Sequence, residues 1–183
     1  MVNRAVVVVD YNEEWPRQFE ALRARIWPVV ADVAVRIEHV GSTSVQGLAA
    51  KPIIDMTVVV AGRGDVPLTI ERLATIGYRH LGNLDIEDRE AFDHCAGLNR
   101  HHLYVCPEGT LGLVNQLAVR DYLRARPDAA REYGELKKHL AQLFPTDIDS
   151  YVFGKTDFIL DVLRRVGLTE EQLASIERVN RRS

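Results

Sequence analysis

The chain has 183 residues, of which 46% are hydrophobic and 27% are charged, and its formal net charge is -3. This composition is typical of a soluble globular chain with one core of ordinary size, and it excludes a fibrous or low-complexity protein. The slightly negative charge argues against broad, charge-driven binding of nucleic acid, although a local basic patch stays compatible with it. We therefore predict a single domain, residues 1–183.

Two features bear on where the protein works. Its two cysteines, Cys95 and Cys106, do not form a Cys-x-x-Cys pair, which argues against a disulfide framework and favours a reducing compartment. The apolar run at residues 6–9 is too short for a secretory signal or a membrane span. We predict a cytoplasmic protein with no membrane partner, and the sequence leaves the oligomeric state open.

The first half of the chain alternates helix and strand patterns. A helix is predicted over residues 13–30, with Asn12 as its cap, because apolar residues recur there at spacings of three and four. Residues 82–100 are polar and marked by glycine, which predicts a long excursion without regular structure. The other predicted elements are a strand at 33–40, a strand at 53–60, a helix at 66–76, a strand at 78–81 and a strand at 101–106.

The second half has the periodicity of helices. Helices are predicted at residues 111–126, 128–144 and 151–166, and a fourth helix follows Thr169, which would cap it. The run at residues 137–139, Lys-Lys-His, is expected on a solvated helix face. Together with the first half this order predicts an α+β fold whose sheet carries helices mainly on one face.

The segment between the second and third predicted elements carries the strongest functional signal. Gly41 and Ser42 follow a strand, and Asp55 opens the next one. Glycine and small hydroxyl residues at such a turn let backbone N–H groups approach a phosphate. A neighbouring carboxylate could hold the divalent cation that a phosphate needs. A plain structural turn would explain the Gly-Ser pair equally well, so the hypothesis depends on Asp55 facing the turn.

Basic residues add candidate ligands around this turn. Lys51 lies four residues before Asp55 and could supply a mobile positive charge near a phosphate. Arg89, Arg100 and Arg120 could clamp phosphates or a carboxylate through bidentate contacts, although each could instead be a surface or salt-bridge arginine.

The histidines leave a metal site open. His101 and His102 are neighbours on one predicted strand, so their side chains point to opposite faces and only one of them can face the site. With His39 at the end of an earlier strand, a site of two histidines and Asp55 is conceivable. The alternative is that His39 supports the Gly-Ser turn by hydrogen bonding.

Several groups of residues match one known pattern. They are the block at residues 38–55; Tyr11, Trp15 and Phe19; residues 102–105; residues 120–124; and Tyr151, Lys155, Phe158 and Ile159. On these residues nearly the whole chain resembles the GrpB family (UPF0157), which lies within the nucleotidyltransferase-fold superfamily. The block at residues 38–55 is the most specific part of the match.

The resemblance implies both a fold and a chemistry. The fold would be a small twisted mixed sheet with flanking helices, a Gly-Ser turn facing catalytic carboxylates, and a helical C-terminal part. Active members of the superfamily transfer a nucleotidyl group from a nucleoside triphosphate to an acceptor with a divalent metal, which we expect here to be Mg²⁺. The residues expected in these roles are Asp55 and Lys51 for catalysis, Gly41, Ser42, Thr43, Ser44, Arg89 and Arg120 for binding phosphate, and Asp55 and His102 for the metal.

One departure from the superfamily pattern bears on catalysis. The pattern has two acids separated by one apolar residue on a strand, whereas here Asp55 is followed by Met56 and Thr57. The second carboxylate is therefore missing, although two metal ions need oxygens from more than one acid. Asp85 and Glu87 could replace the pair only in a strand, and their glycine-marked context favours a loop.

Three functions stay open at this point. The first is a nucleotidyltransferase-like enzyme acting on a nucleoside triphosphate. The second is a binding or accessory module for a nucleotide or another phosphorylated small molecule, since relatives of the family occur fused to dephospho-CoA kinase and this chain has no P-loop motif. The third is a metal-dependent hydrolase built from the histidines.

Overall fold

A mixed sheet lies at the centre of the computed structural model, which describes residues 5–93 and 97–180. The strands within these ranges are β1 (Ala34–Val40), β2 (Ile54–Val60), β3 (Arg79–Gly82), β4 (Glu90–Asp93) and β5 (His101–Pro107). Their order in the sheet is β1-β2-β5-β4-β3. β2 and β5 run parallel, and the other neighbouring pairs are antiparallel.

Helices surround the sheet and form most of the second half of the chain. The helices of the described residues are α1 (Trp15–Val30), α2 (Val66–Ala74), α3 (Leu111–Ala125), α4 (Pro127–Leu143), α5 (Ile148–Gly154), α6 (Thr156–Arg165) and α7 (Glu170–Asn180). A mixed sheet with flanking helices and a helical C-terminal part is the α+β class that the sequence predicted.

The main core lies between one face of the sheet and two helices, α1 and α2. Ile54, Met56 and Val58 of β2 are buried there, together with Leu73 of α2. The predicted apolar stripe of α1 is also buried and consists of Trp15, Phe19, Leu22 and Ile26. Full burial of such a side chain contributes roughly 1.5–3 kcal/mol. This core fixes β2, whose opposite face carries the candidate site.

The opposite face of β2 lies partly under α3. Val59 packs with Leu113 of α3, and Thr57 Oγ1 donates a hydrogen bond of 2.7 Å to Gln116 Oε1. The prediction that helices lie mainly on one face is therefore wrong, because α1 and α2 cover one face and α3 covers the other. The continuous apolar run at residues 58–60 is typical of a strand covered on both sides.

Two predictions of local structure are also wrong. Residues 90–93, expected in a long excursion, form β4, because β3 and β5 pair with this segment on either side and it is too short to show a pattern of its own. The helix predicted over residues 151–166 is divided at Lys155 into α5 and α6. The predicted cap of the last helix is confirmed, since Thr169 Oγ1 accepts a hydrogen bond of 3.3 Å from the backbone N–H of Gln172.

Two further observations concern the cysteines and possible membrane spans. Cys106 is a free, buried thiol, and burial raises its pKa to about 12; Cys95 lies outside the described residues. In the part of the chain that the structure describes, no helix is both long and apolar enough to cross a membrane.

Candidate functional site

The bend at Gly41 and the carboxylate of Asp55 are in direct contact. Gly41 follows β1 and has φ +68°, in the left-handed region that glycine adopts without steric cost. Asp55 lies directly across from Val40 in the antiparallel β1-β2 pair. A Cβ atom added to Gly41 would lie 2.3 Å from Asp55 Oδ2. Asp55 therefore faces the turn, as the phosphate hypothesis requires.

The two residues after Ser42 hold the turn in place. Thr43 is buried, and its hydroxyl donates to the carbonyl oxygen of Ile53 at 3.3 Å and lies 3.0 Å from His39 Nε2. Ser44 Oγ donates to the carbonyl oxygen of Gly41 at 2.6 Å. The side chains of both residues are thus hydrogen-bonded within the turn, and neither residue lines the cavity beside Asp55. Their expected role in binding phosphate stays a prediction.

That cavity has a volume of about 270 Å³ and lies between the turn and the helical part of the chain. Its apolar walls come from α3, α5 and α6. Its polar lining includes Gly41, Ser42, Asp55, Arg120, Tyr133 and Lys155. The structure thus brings the predicted Gly-Ser turn, the acid and one predicted arginine together with residues from helices far along the chain.

Lys137 is the most informative residue that sequence reasoning missed. It was expected on a solvated face, but it is 2% exposed. Its Nζ donates a hydrogen bond of 2.7 Å to Ser42 Oγ and lies 4.6 Å from the ring centroid of Tyr133. Burial lowers its pKa well below the ordinary lysine value. The spacing of Tyr133, Lys137 and Leu140 matches the buried stripe of α4 and is the signal that could have indicated it.

Two further lysines share one tyrosine ring at the same site. Lys155 lines the cavity, with its Nζ 4.6 Å from the ring centroid of Tyr151, and Lys51 Nζ lies 5.5 Å from the same centroid. Burial lowers the pKa of Lys155 to about 8 and also lowers the pKa of Lys51. The negative charge of Asp55 raises both pKa values, although burial has the larger effect. Both lysines therefore interact electrostatically with Asp55.

His102 and His101 point to opposite faces of the sheet, as predicted. His102 is the register partner of Asp55, and its Nδ1 lies 2.8 Å from Asp55 Oδ1. His101 is buried, and its Nε2 lies 2.8 Å from the hydroxyl oxygen of Tyr78. No group of three or more His, Cys, Asp or Glu side chains within residues 5–93 and 97–180 is arranged to hold a metal ion.

The donor atoms at the cavity do not fit a centre with two metal ions. Thr57 occupies the position of the missing acid and is fully buried. Glu38 lies across from Thr57, but it pairs with Arg120 at 2.6 Å and with Arg36 at 2.7 Å. Desolvation raises the pKa of Glu38, and the hydrogen bonds from the two arginines outweigh it and hold the pKa below its ordinary value. A single Mg²⁺ bound by Asp55, phosphate oxygens and water would fit the donors present.

The two predicted arginines have different positions. Arg120 lines the cavity, but its guanidinium already donates to Glu38 and, at 3.1 Å, to the carbonyl oxygen of His39. Arg89 does not line this cavity, and its guanidinium carbon lies 4.6 Å from the ring centroid of Tyr104. Arg89 therefore packs on a tyrosine that does not line this cavity, and its expected role in binding phosphate stays a prediction.

The acidic segment is a loop, as expected. Asp85 has a left-handed backbone with φ +61°, as does Asp88 with φ +58°. Asp85 and Glu87 line a neighbouring cavity beside α3 and α7 and do not line the cavity at Asp55. They therefore do not replace the missing acid on β2.

His39 supports the turn and makes its stability sensitive to acid. The ring stacks on Phe19 at 4.6 Å, and burial lowers the pKa of His39 from 6.5 to about 4. Because the pKa of His39 is lower in the folded protein, the unfolded chain binds the proton first. The free energy of unfolding that is present above about pH 6.5 therefore falls as the pH approaches about 4.

We expect His39→Gln to reduce this acid-dependent loss in the free energy of unfolding, as measured by urea unfolding. His139→Gln, at an exposed position on α4, is the control, and an equal loss in both variants would contradict the assignment.

Comparison with known proteins finds relatives over most of the chain. The family model described as GrpB protein matches residues 5–165. A relative from Bacillus subtilis, "UPF0157 protein YqkA", is 36% identical over 156 residues, covering 85% of this chain and 46% of its own length. The chain thus spans about half the length of that relative.

Two solved structures have a similar fold. The crystal structure of GrpB from Enterococcus faecalis is 34% identical and superposes with a TM-score of 0.77, over 92% of this chain and 98% of that one. The Cid1 poly(U) polymerase with MgGTP bound is 16% identical, with a TM-score of 0.51 over 74% of this chain and 44% of that one, and this likeness shows the fold alone. The fold is therefore nucleotidyltransferase-like, and the chain belongs to the GrpB family.

Proposed function

We propose that the chain binds a nucleoside triphosphate, or another phosphorylated small molecule, through its phosphates in the cavity at Asp55. The observation that carries this proposal is the position of Ser42, whose hydroxyl is held by Lys137 and lines the same cavity as Asp55. Hydroxyl and ammonium groups donate hydrogen bonds to phosphate oxygens, and such charge-assisted bonds are stronger than neutral ones. Gly41 lets the backbone approach the ligand without a side chain in the way.

The likeness to solved nucleotidyltransferases supports a nucleotide as the phosphorylated ligand. Cid1, which shares the fold, is described with MgGTP bound. In this chain, Ser42 and Lys155 would orient the phosphate chain, and the apolar walls from α3, α5 and α6 would exclude water from it. If a magnesium ion is bound, Asp55 would hold it, and the ion would offset phosphate charge as a Lewis acid.

Nucleotidyl transfer to an acceptor is the second candidate. The position of Asp55 at the start of β2, against the Gly-Ser turn, favours it. Thr57 argues against it, since its hydroxyl donates to Gln116 and supplies no second carboxylate. We therefore place ligand binding first and transfer second.

Calorimetry with a panel of nucleoside triphosphates and Mg²⁺ tests the first candidate. We expect the wild-type protein to bind at least one of them and Ser42→Ala to bind it at least about tenfold more weakly, because a hydrogen bond to a charged group contributes about 1.5–3 kcal/mol. Ser150→Ala is the control, since Ser150 bonds to Asp147 and does not line the cavity. Absence of binding across the panel, or equal binding by Ser42→Ala, would contradict the proposal.

A pyrophosphate-release assay on the same panel separates the two candidates. Binding without release supports a binding module. Release that depends on Asp55 would support transfer.

A further inference from the structure

The cavity at Asp55 carries more positive than negative side chains. Lys155 lines it, Lys137 donates to the hydroxyl of Ser42 in its wall, and Lys51 lies over the same tyrosine ring as Lys155. We call these three residues the lysine cluster, and none of them forms an ion pair with a carboxylate within residues 5–93 and 97–180. Among the residues that the structure describes, Asp55 is the only acid that lines the cavity, and it already contacts His102. Three ammonium groups against one carboxylate leave an excess of positive charge when all three are protonated.

The ammonium groups of the lysine cluster are close enough to repel one another. Lys155 contributes to the lowered pKa of Lys137, and Lys51 contributes to the lowered pKa of Lys155, in each case after burial as the larger cause. Burying like charges together without counter-charges costs free energy. A cluster kept at this cost is the arrangement expected where a bound anion supplies the missing negative charge.

The cluster presents its charge at two separate positions. Lys137 lies over the ring of Tyr133 and reaches Ser42. Lys51 and Lys155 lie over the ring of Tyr151. One position, at Lys155, is in the cavity wall, and the other, at Lys137, is behind the lining residue Ser42. Two such positions suit a ligand with at least two linked phosphoryl groups better than a single phosphate. In sites with two metal ions the second ion supplies part of this positive charge, and that site needs an acid where Thr57 stands.

We propose that the lysine cluster binds a diphosphate or triphosphate group without a divalent cation, with lysine ammonium groups supplying the positive charge that a second metal ion would otherwise supply. This inference rests on the proposed function of the same cavity. It makes the phosphate chain, rather than a metal ion, the partner that completes the charge balance of the site.

Calorimetry in EDTA with pyrophosphate, tripolyphosphate and orthophosphate as probes tests the proposal. We expect the wild-type protein to bind pyrophosphate and tripolyphosphate at least about tenfold more tightly than orthophosphate, because charge-assisted contacts add with each phosphoryl group. Lys137→Met and Lys155→Met should each weaken pyrophosphate binding at least about tenfold. Lys155→Arg, which keeps the charge, should retain most of the binding.

Lys138→Met is the matched control. Lys138 is adjacent to Lys137 on α4, but its Nζ pairs with Asp10 at 2.8 Å and with Glu135 at 3.2 Å, outside the cavity. It should bind pyrophosphate like the wild-type protein, and thermal unfolding verifies that each variant is folded.

The outcomes separate this inference from the proposed function. Pyrophosphate binding that requires added Mg²⁺, or binding no tighter than that of orthophosphate, would overturn the metal-free proposal and leave nucleotide binding in place. Failure of every phosphate probe and every nucleotide, with and without Mg²⁺, would remove both.

Discussion

Replacing Gly41 with alanine is expected to destabilise the protein by more than a left-handed backbone alone would cost. That backbone costs a non-glycine residue about 1–2 kcal/mol. In addition, the new Cβ would lie 2.3 Å from Asp55 Oδ2, so the carboxylate or the turn must move. Urea unfolding measures the loss in the free energy of unfolding.

Gly47→Ala provides the matched comparison. Gly47 also has a left-handed backbone, with φ +78°, but a Cβ built there would have no heavy atom of a described residue within 4 Å, apart from Gly47 itself and its two chain neighbours. The difference between the two variants therefore isolates the contact with Asp55. Equal destabilisation would show that Asp55 does not press against the turn. It would contradict the contact between Gly41 and Asp55 on which the candidate site depends.

Asp55→Asn is expected to have opposite effects with and without magnesium. In EDTA, loss of the negative charge removes its repulsion of bound phosphates, so pyrophosphate should bind at least about threefold more tightly, since a charge pair near a protein surface interacts with about 4 kcal/mol at 4 Å before screening. With Mg²⁺ present, any gain in nucleotide affinity that the wild-type protein derives from the metal should disappear. Asparagine keeps the size of the side chain beside Gly41, so the fold should be retained.

The control for this experiment is Asp121→Asn. Asp121 pairs with Nε of Arg120 at 2.8 Å and does not line the cavity. It should leave both measurements unchanged. Weaker pyrophosphate binding by Asp55→Asn in EDTA would mean that Asp55 assists the phosphate directly, contrary to the charge balance proposed for the lysine cluster.

Local patterns were sufficient for the elements that form the main core. The stripe of α1 and the apolar run of β2 follow from spacing and residue type alone, because each buries one continuous set of side chains. β4 could not be predicted in this way. Its four residues become a strand only because β3 and β5 pair with them on either side, and that information is tertiary.

The residues of the candidate site likewise divide into those that the local sequence could predict and those that it could not. The contact between Gly41 and Asp55 could be predicted, since the end of β1 and the start of β2 lie side by side in an antiparallel pair. Lys137 and Lys155 reach the cavity from helices that pack onto the sheet from far along the chain. The resemblance drew attention to Lys155, but the sequence contained no local sign that Lys137 would meet Ser42.

The arginines illustrate the limit of residue type as evidence. Arg89 and Arg120 were equally good phosphate ligands in the sequence. Arg120 lies at the cavity because α3 crosses the sheet near β1, where it pairs with Glu38. Arg89 follows a loop with left-handed backbone and packs on Tyr104 instead. Which arginine faced the cavity was decided by helix packing and loop geometry.

The hydrogen bond between Lys137 and Ser42 joins residues that are 95 positions apart in the chain. One wall of the cavity is thus contributed by the sheet and the other by the helical part, and neither part alone encloses a ligand. An occupant touching both walls would favour only the assembled arrangement, by mass action. A bound ligand would therefore stabilise the packing of the helical part against the sheet. Separation of α4 from the turn would release the ligand.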